Sequence, residues 1–158
     1  MQLQEGENIM TMLKKNTYTI DGEELQKRIS SEIESLKYNY REWRLAEPGS
    51  HDSETCYTRY ECNLAVLRAL LRIQGLDGTQ VAMIVNNIKD LAEYDSIKYR
   101  ISVLDGKIDA LGTKMYDIVK TFKVEDDGES EKPRYYAVKA QRDELIKRRS
   151  ALIWKIAR

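Results

Sequence analysis

The side chains best suited to metal binding or nucleophilic chemistry fall in one short stretch: His51, Asp52, Cys56 and Cys62. Imidazole, carboxylate and thiolate are the common zinc ligands, and a cysteine beside a histidine base is a common nucleophile. On a predicted helix, however, Cys56 and Cys62 lie about 9 Å apart along the axis and about 120° apart around it. This spacing suits neither a disulfide nor a shared metal ion. We therefore predict two free thiols, no metal site and no cofactor.

Two carboxylates one helical turn apart, Asp90 and Glu93, are the best candidates for binding magnesium. A helical nucleotide-handling enzyme would need a second such pair on a facing helix, and the chain offers no convincing one. The single histidine also excludes a di-iron site built from Glu-x-x-His motifs. Because no nucleophile, base and orienting group occur together, we predict no catalytic residue and no enzyme. A magnesium-dependent helical nucleotide-handling enzyme is kept as a second alternative.

Four aromatic residues flank a predicted loop at Pro48, with arginines interleaved among them. Aromatic and guanidinium groups together can stack on nucleic-acid bases. All four rings also fall on the predicted inner stripes of their helices, so core packing is the favoured interpretation. The four residues are Tyr40, Trp43, Tyr57 and Tyr60.

Charge is concentrated at the C-terminal end, where residues 133–158 hold eight basic side chains and only two acidic ones. Two interpretations stay open. One is a surface for phosphate backbones or an acidic partner, and the other is a solvated helix balanced by the acidic first half of the chain. The candidate partner- or phosphate-binding residues are Arg134, Lys139, Arg142, Lys147, Arg148, Arg149, Lys155 and Arg158.

Two of these basic residues, Arg142 and Arg149, lie within the apolar stripe of the last helix, between Val138 and Ile156. A charge in that position needs a partner. In an antiparallel hairpin, Arg149 can reach Asp105 and form an intramolecular pair whose net stabilisation is small. Alternatively, both arginines face another subunit.

Apolar residues with helical spacing define the first two elements. A helix is predicted over residues 21–47 and ends at Pro48, because proline and the glycine after it break helices. The second helix is predicted to begin at Asp52 or Ser53, either of which could cap it, and to end at the breaker over residues 75–78.

Asp77 and Gln80 then form a predicted capping box for a third helix, whose apolar stripe loses its phase near Asp95. The region 67–94 also faintly resembles a helix-turn-helix, in which Asn86 would take the left-handed turn conformation. The predicted stripe of the third helix is Val81, Ile84, Ile88 and Leu91.

The strictest heptad in the chain runs from Ile97 to Phe122, with alternating steps of four and three residues. A charged connection over residues 125–131 separates it from a last helix that begins near Pro133, and the matching lengths predict an antiparallel hairpin. Residues 99–109 allow a competing β-hairpin, because they alternate in polarity and contain the favoured turn Asp-Gly.

The chain of 158 residues carries 26 basic and 26 acidic side chains, and 42% of its residues are apolar. A chain of this size can bury a core without disulfides or metal, so we treat it as one domain. Its longest apolar stretch, residues 64–73, contains two arginines and is too short to cross a membrane. Residues 1–7 are acidic and lack the apolar segment of a secretory signal. We therefore expect a cytoplasmic protein without a membrane segment.

Together these patterns predict an all-α fold: a bundle of four to five helices with a long antiparallel coiled-coil hairpin at the C-terminal end. Residues 1–20 are assigned no element, residues 21–96 form the bundle part, and residues 97–158 form the hairpin. We expect a non-enzymatic interaction or assembly protein that binds a protein partner, or a second copy of itself, through helix faces and the basic last helix. The alternative is a nucleic-acid-binding regulator or packaging factor. Small helical proteins of phages or mobile elements would have this composition.

Overall fold

The computed structural model describes residues 21–122 and 129–158, and within them the fold is all-helical with four helices. Helix α1 spans Gly22–Leu45, α2 spans His51–Ile73, α3 spans Gly78–Lys120 and α4 spans Lys132–Ile156. Residues 1–20, and most of the charged connection predicted over 125–131, lie outside the described residues.

Polar side chains cap the starts of α1, α2 and α3, and the cap of α2 differs from the prediction. Helix α2 is capped by Ser50, whose hydroxyl accepts a hydrogen bond from the Ser53 backbone N–H at 3.1 Å, so the predicted caps Asp52 and Ser53 lie inside the first turn. Gly49 has a φ of 79°, and Ser50 directly after it is in the extended conformation that an N-cap requires. The capping box predicted for Asp77 is confirmed.

Helices α1, α2 and the first half of α3 share one apolar core. Each contributes a stripe whose members recur every three or four residues, and Leu36, Leu64 and Leu67 have no exposed surface at all. The buried members are Leu25, Ile29, Leu36, Tyr60, Leu64, Leu67, Leu71, Val81, Val85, Ile88 and Ala92.

Helix α3 is continuous for 43 residues and runs straight through the predicted phase slip at Asp95. The slip marks a change in the main packing partner. The buried residues of the first half of α3 belong to the core shared with α1 and α2. In the second half, Asp105 and Gly112 contact α4, and Phe122, just after the helix, lies near it. The buried stripe of the first half runs through Val85 and Ala92, whereas the predicted Leu91 is 52% exposed. The β-hairpin over 99–109 and the helix-turn-helix with a turn at Asn86 are therefore wrong, since both positions lie inside α3.

Helix α4 packs against α3 and, within the described residues, against no other helix. As the residue numbers rise along α3, the numbers of the α4 residues in contact with them fall. Asp105 is bonded to Arg149, and Gly112 lies beside Arg142. The rings of Phe122 and Tyr135 are 6.4 Å apart. A layer of two helices buries little, so only a few apolar side chains in these two segments are buried: Ile97, Ile108, Ile118, Val138 and Leu152.

No helix in the described residues combines the length and the apolar character needed to cross a membrane.

Candidate functional site

A cationic groove lies where the second half of α3, the C-terminal part of α4 and the end of α1 meet, with a volume of about 450 Å³. Helices α3 and α4 contribute the same pattern to it, namely a cation, two apolar residues and a second cation at positions i, i+3, i+4 and i+7. These positions share one face of a helix. The eight residues are Arg100, Val103, Leu104 and Lys107 from α3, and Arg148, Ala151, Leu152 and Lys155 from α4.

The third wall of the groove is the last turn of α1, which contributes Arg44 and Leu45. Five of the ten lining residues are therefore basic, and none is acidic. The remaining five are apolar. Such a surface combines a positive field with an apolar floor, and it suits a ligand that is both anionic and apolar.

Little of this positive charge is neutralised inside the protein. Arg148 pairs with Glu144 of its own helix at 3.1 Å, and both side chains are more than half exposed, so the pair is weak. Arg100, Lys107 and Lys155 form no ion pair with the part of the chain that the structure describes. The groove therefore keeps an excess of positive charge in a protein whose formal net charge is zero.

Arg44 is placed in the groove by a contact between α1 and α3. The Tyr40 hydroxyl donates a short hydrogen bond to Glu93 Oε2, and Arg44 Nε lies 3.9 Å from the same oxygen. Burial, together with the hydrogen bond to Glu93, raises the pKa of Tyr40 above its ordinary value. The neutral phenol therefore remains a donor to Glu93, and the contact locks the end of α1 onto α3.

The basic residues predicted from the sequence divide into three groups. Arg148 and Lys155 line the groove. Arg142 and Arg149 lie at the junction of α3 and α4, where Arg149 is joined to Asp105 as expected, and Arg142 Nε is buried with no hydrogen-bond partner among the described residues. The other four lie outside both places: Arg134 and Lys139 pair with acidic neighbours at 3.8 and 2.7 Å, and Lys147 and Arg158 are exposed.

The four aromatic residues of the α1–α2 turn are brought together. The Tyr40 ring lies 5.2 Å from Tyr60 and 5.5 Å from Trp43, in edge-to-face arrangements that stabilise aromatic pairs. Tyr60 belongs to the buried core, and Tyr40 packs against it. Tyr57 packs against Trp43 with its ring tilted, and it is 43% exposed. The cluster therefore packs the end of α1 that carries Arg44 against α2.

The residues suggestive of metal or nucleophilic chemistry do not form a centre within the described ranges. His51, Asp52 and Cys56 line a second groove at the α1–α2 turn, while Cys62 lies apart from it; both cysteines are free. No three potential metal ligands converge anywhere in residues 21–122 and 129–158. Glu93 is held by Tyr40, and Asp90 is exposed.

Three basic residues of the groove, Arg44, Arg100 and Lys107, were not among the binding residues predicted from the sequence. A signal for two of them was available, because Arg100 and Lys107 are seven residues apart and flank the heptad stripe of α3, as Arg148 and Lys155 flank that of α4. Nothing in the sequence indicated that the end of α1 would complete the same groove.

No protein-family model, curated protein or solved structure matches this chain. Its function is therefore inferred from the groove.

Proposed function

We propose that this is a non-enzymatic interaction protein that binds an acidic, amphipathic segment of a partner protein in the cationic groove. The observation that carries the proposal is the set of five basic side chains around an apolar floor, with no acidic residue among them. Complementary charge steers a partner and fixes its orientation, and burial of apolar side chains on the floor supplies affinity.

The apolar floor favours a protein segment over a nucleic-acid backbone. Leu45, Val103 and Leu152 lie between the cations, and a sugar-phosphate backbone offers little apolar surface to cover them. A helix with leucines on one face and glutamates beside them matches both features, because its apolar stripe faces the floor while its carboxylates reach the basic rim.

We also propose that the second half of α3 and helix α4 form an antiparallel coiled-coil hairpin that carries the groove. The reversed order of the contacts between Asp105 and Arg149 and between Phe122 and Tyr135 supports this arrangement. Self-association through the half-buried apolar residues of this hairpin stays a prediction, and native mass spectrometry at low salt measures it directly.

The test measures binding of a fluorescein-labelled peptide by anisotropy. The peptide carries leucines on one helix face and glutamates beside them, and a second peptide replaces every glutamate with lysine. We expect only the acidic peptide to bind. Changing Arg148 and Lys155 to glutamine should weaken it about fivefold to tenfold, since each surface charge pair contributes up to about 1 kcal/mol.

A matched control changes Lys147 and Arg158 to glutamine, which removes the same charge from the same end of the chain outside the groove. This control should bind the acidic peptide almost as well as the unchanged protein. Equal losses in both variants would refute a groove-specific site. Tighter binding of a labelled single-stranded oligonucleotide, falling steeply as salt rises, would favour the nucleic-acid-binding alternative.

A further inference from the structure

Two arginines on the α1 side of the groove have guanidinium groups that the protein does not fully satisfy. Arg44 Nε and Arg100 Nη1 are both buried without a hydrogen-bond partner among the described residues. The side chains come from different helices and line the same groove. The neighbouring turns are in direct contact, because the Arg41 guanidinium of α1 lies 4.3 Å from the centre of the Tyr99 ring of α3.

The protein offers these two groups little negative charge. Glu93 Oε2, which also accepts the hydrogen bond from Tyr40, lies 3.9 Å from Arg44 Nε and is too far away to accept a hydrogen bond from it. Arg100 has no ion pair within residues 21–122 and 129–158. A guanidinium with a buried, unpaired nitrogen is costly unless an anion compensates its charge. The Arg44 side chain is 34% exposed, so an anion in the groove can reach its remaining nitrogens.

We propose that Arg44 and Arg100 form a subsite for one phosphoryl group, carried by a phosphorylated side chain of the acidic partner segment. The inference rests on the proposed function and assigns the chemistry of one position in the bound segment. A planar carboxylate matches the fork of a single guanidinium. A phosphoryl group has three acceptor oxygens in a tetrahedral arrangement and a charge close to −2, so it can accept from two guanidiniums on different helices.

The direct test follows the arginine Nε–H signals by NMR while inorganic phosphate is added. We expect the Arg44 and Arg100 signals to shift together and to saturate. Arg142 is an internal control, because its Nε is also buried and unpaired but lies outside the groove. An equal response from Arg142, or no response from the two groove arginines, overturns the proposal.

A second measurement identifies the source of the phosphoryl group. The acidic peptide is made with phosphoserine, serine or glutamate at one central position, and binding is measured by anisotropy. We expect phosphoserine to bind about tenfold more tightly than serine, since hydrogen bonds between charged groups are the strongest of their kind. Arg44→Lys and Arg100→Lys keep the charge but remove the fork, so each should abolish most of this preference. Arg68→Lys, an exposed change on α2, should leave it intact.

The two proposals fail in different ways. If the phosphoserine and serine peptides bind equally, the phosphoryl subsite is wrong and the acidic-segment function stands. If phosphate shifts both arginines but no peptide binds, the assignment to a phosphorylated protein segment is overturned along with the proposed function. If an oligonucleotide displaces the phosphoserine peptide at a concentration lower than that of the peptide, the subsite binds a nucleic-acid phosphate instead. That result would also overturn the inference.

Discussion

Replacing Ser96 with alanine is expected to stabilise the protein. Ser96 is 1% exposed in the middle of α3, and its hydroxyl has no hydrogen-bond partner among the described residues. It lines a cleft between α1 and α3 together with Glu34, Lys37, Arg41 and Asp95. An unsatisfied buried hydroxyl costs about 1–3 kcal/mol, and alanine is a better helix former than serine by about 0.5 kcal/mol. Since removal of one oxygen leaves only a small void, the expected gain in the free energy of unfolding is about 2 kcal/mol.

The assay is urea unfolding followed by far-UV circular dichroism, with Ser102→Ala as the matched control. Ser102 is exposed on the same helix, so its replacement measures helix propensity alone and should add about 0.5 kcal/mol. The difference between the two variants isolates the cost of burying the hydroxyl. If Ser96→Ala raises the free energy of unfolding no more than Ser102→Ala does, or lowers it, then the Ser96 hydroxyl has an acceptor and the reasoning is refuted.

Five further substitutions test other parts of the fold. Gly106→Ala and Gly112→Ala should each raise the free energy of unfolding in urea by about 1 kcal/mol, because an added Cβ meets nothing closer than 3.7 Å at either position; destabilisation would show that α3 needs a glycine there. Arg142→Leu should stabilise the protein by about 1 kcal/mol, because it removes a guanidinium whose Nε is buried without a hydrogen-bond partner among the described residues. Arg149→Leu breaks the ion pair with Asp105 and should cost up to about 1 kcal/mol. The opposite order in urea titrations would contradict the pairing. Folding raises the pKa of Tyr40, so the protonated hydroxyl stabilises the folded state. This stabilisation is complete below pH 10.0, the ordinary pKa of tyrosine, and is lost as the pH rises above that value. The free energy of unfolding measured at increasing alkaline pH should therefore fall less steeply in Tyr40→Phe, and identical slopes would argue against this assignment.

Local patterns in the sequence determine most of the helical architecture. Asp77 and Gln80 specify the start of α3 because a capping box involves only residues within one turn. The heptad beginning at Ile97 specifies which face of α3 meets α4, since periodicity depends on helix geometry alone. The same geometry allowed the pairing of Asp105 with Arg149 to be predicted.

Only the tertiary structure decides which faces meet and what they build together. A phase slip at Asp95 is compatible with a chain break or with one helix changing partners, and packing against α1 and then α4 selects the second. The groove is likewise formed by packing between helices that are distant in the sequence. Its cations lie on three helices, and Arg44 is separated from Arg148 by more than a hundred residues. A sequence pattern identifies the outward face of each helix, but the Tyr40–Glu93 contact that brings the end of α1 to α3 depends on long-range packing.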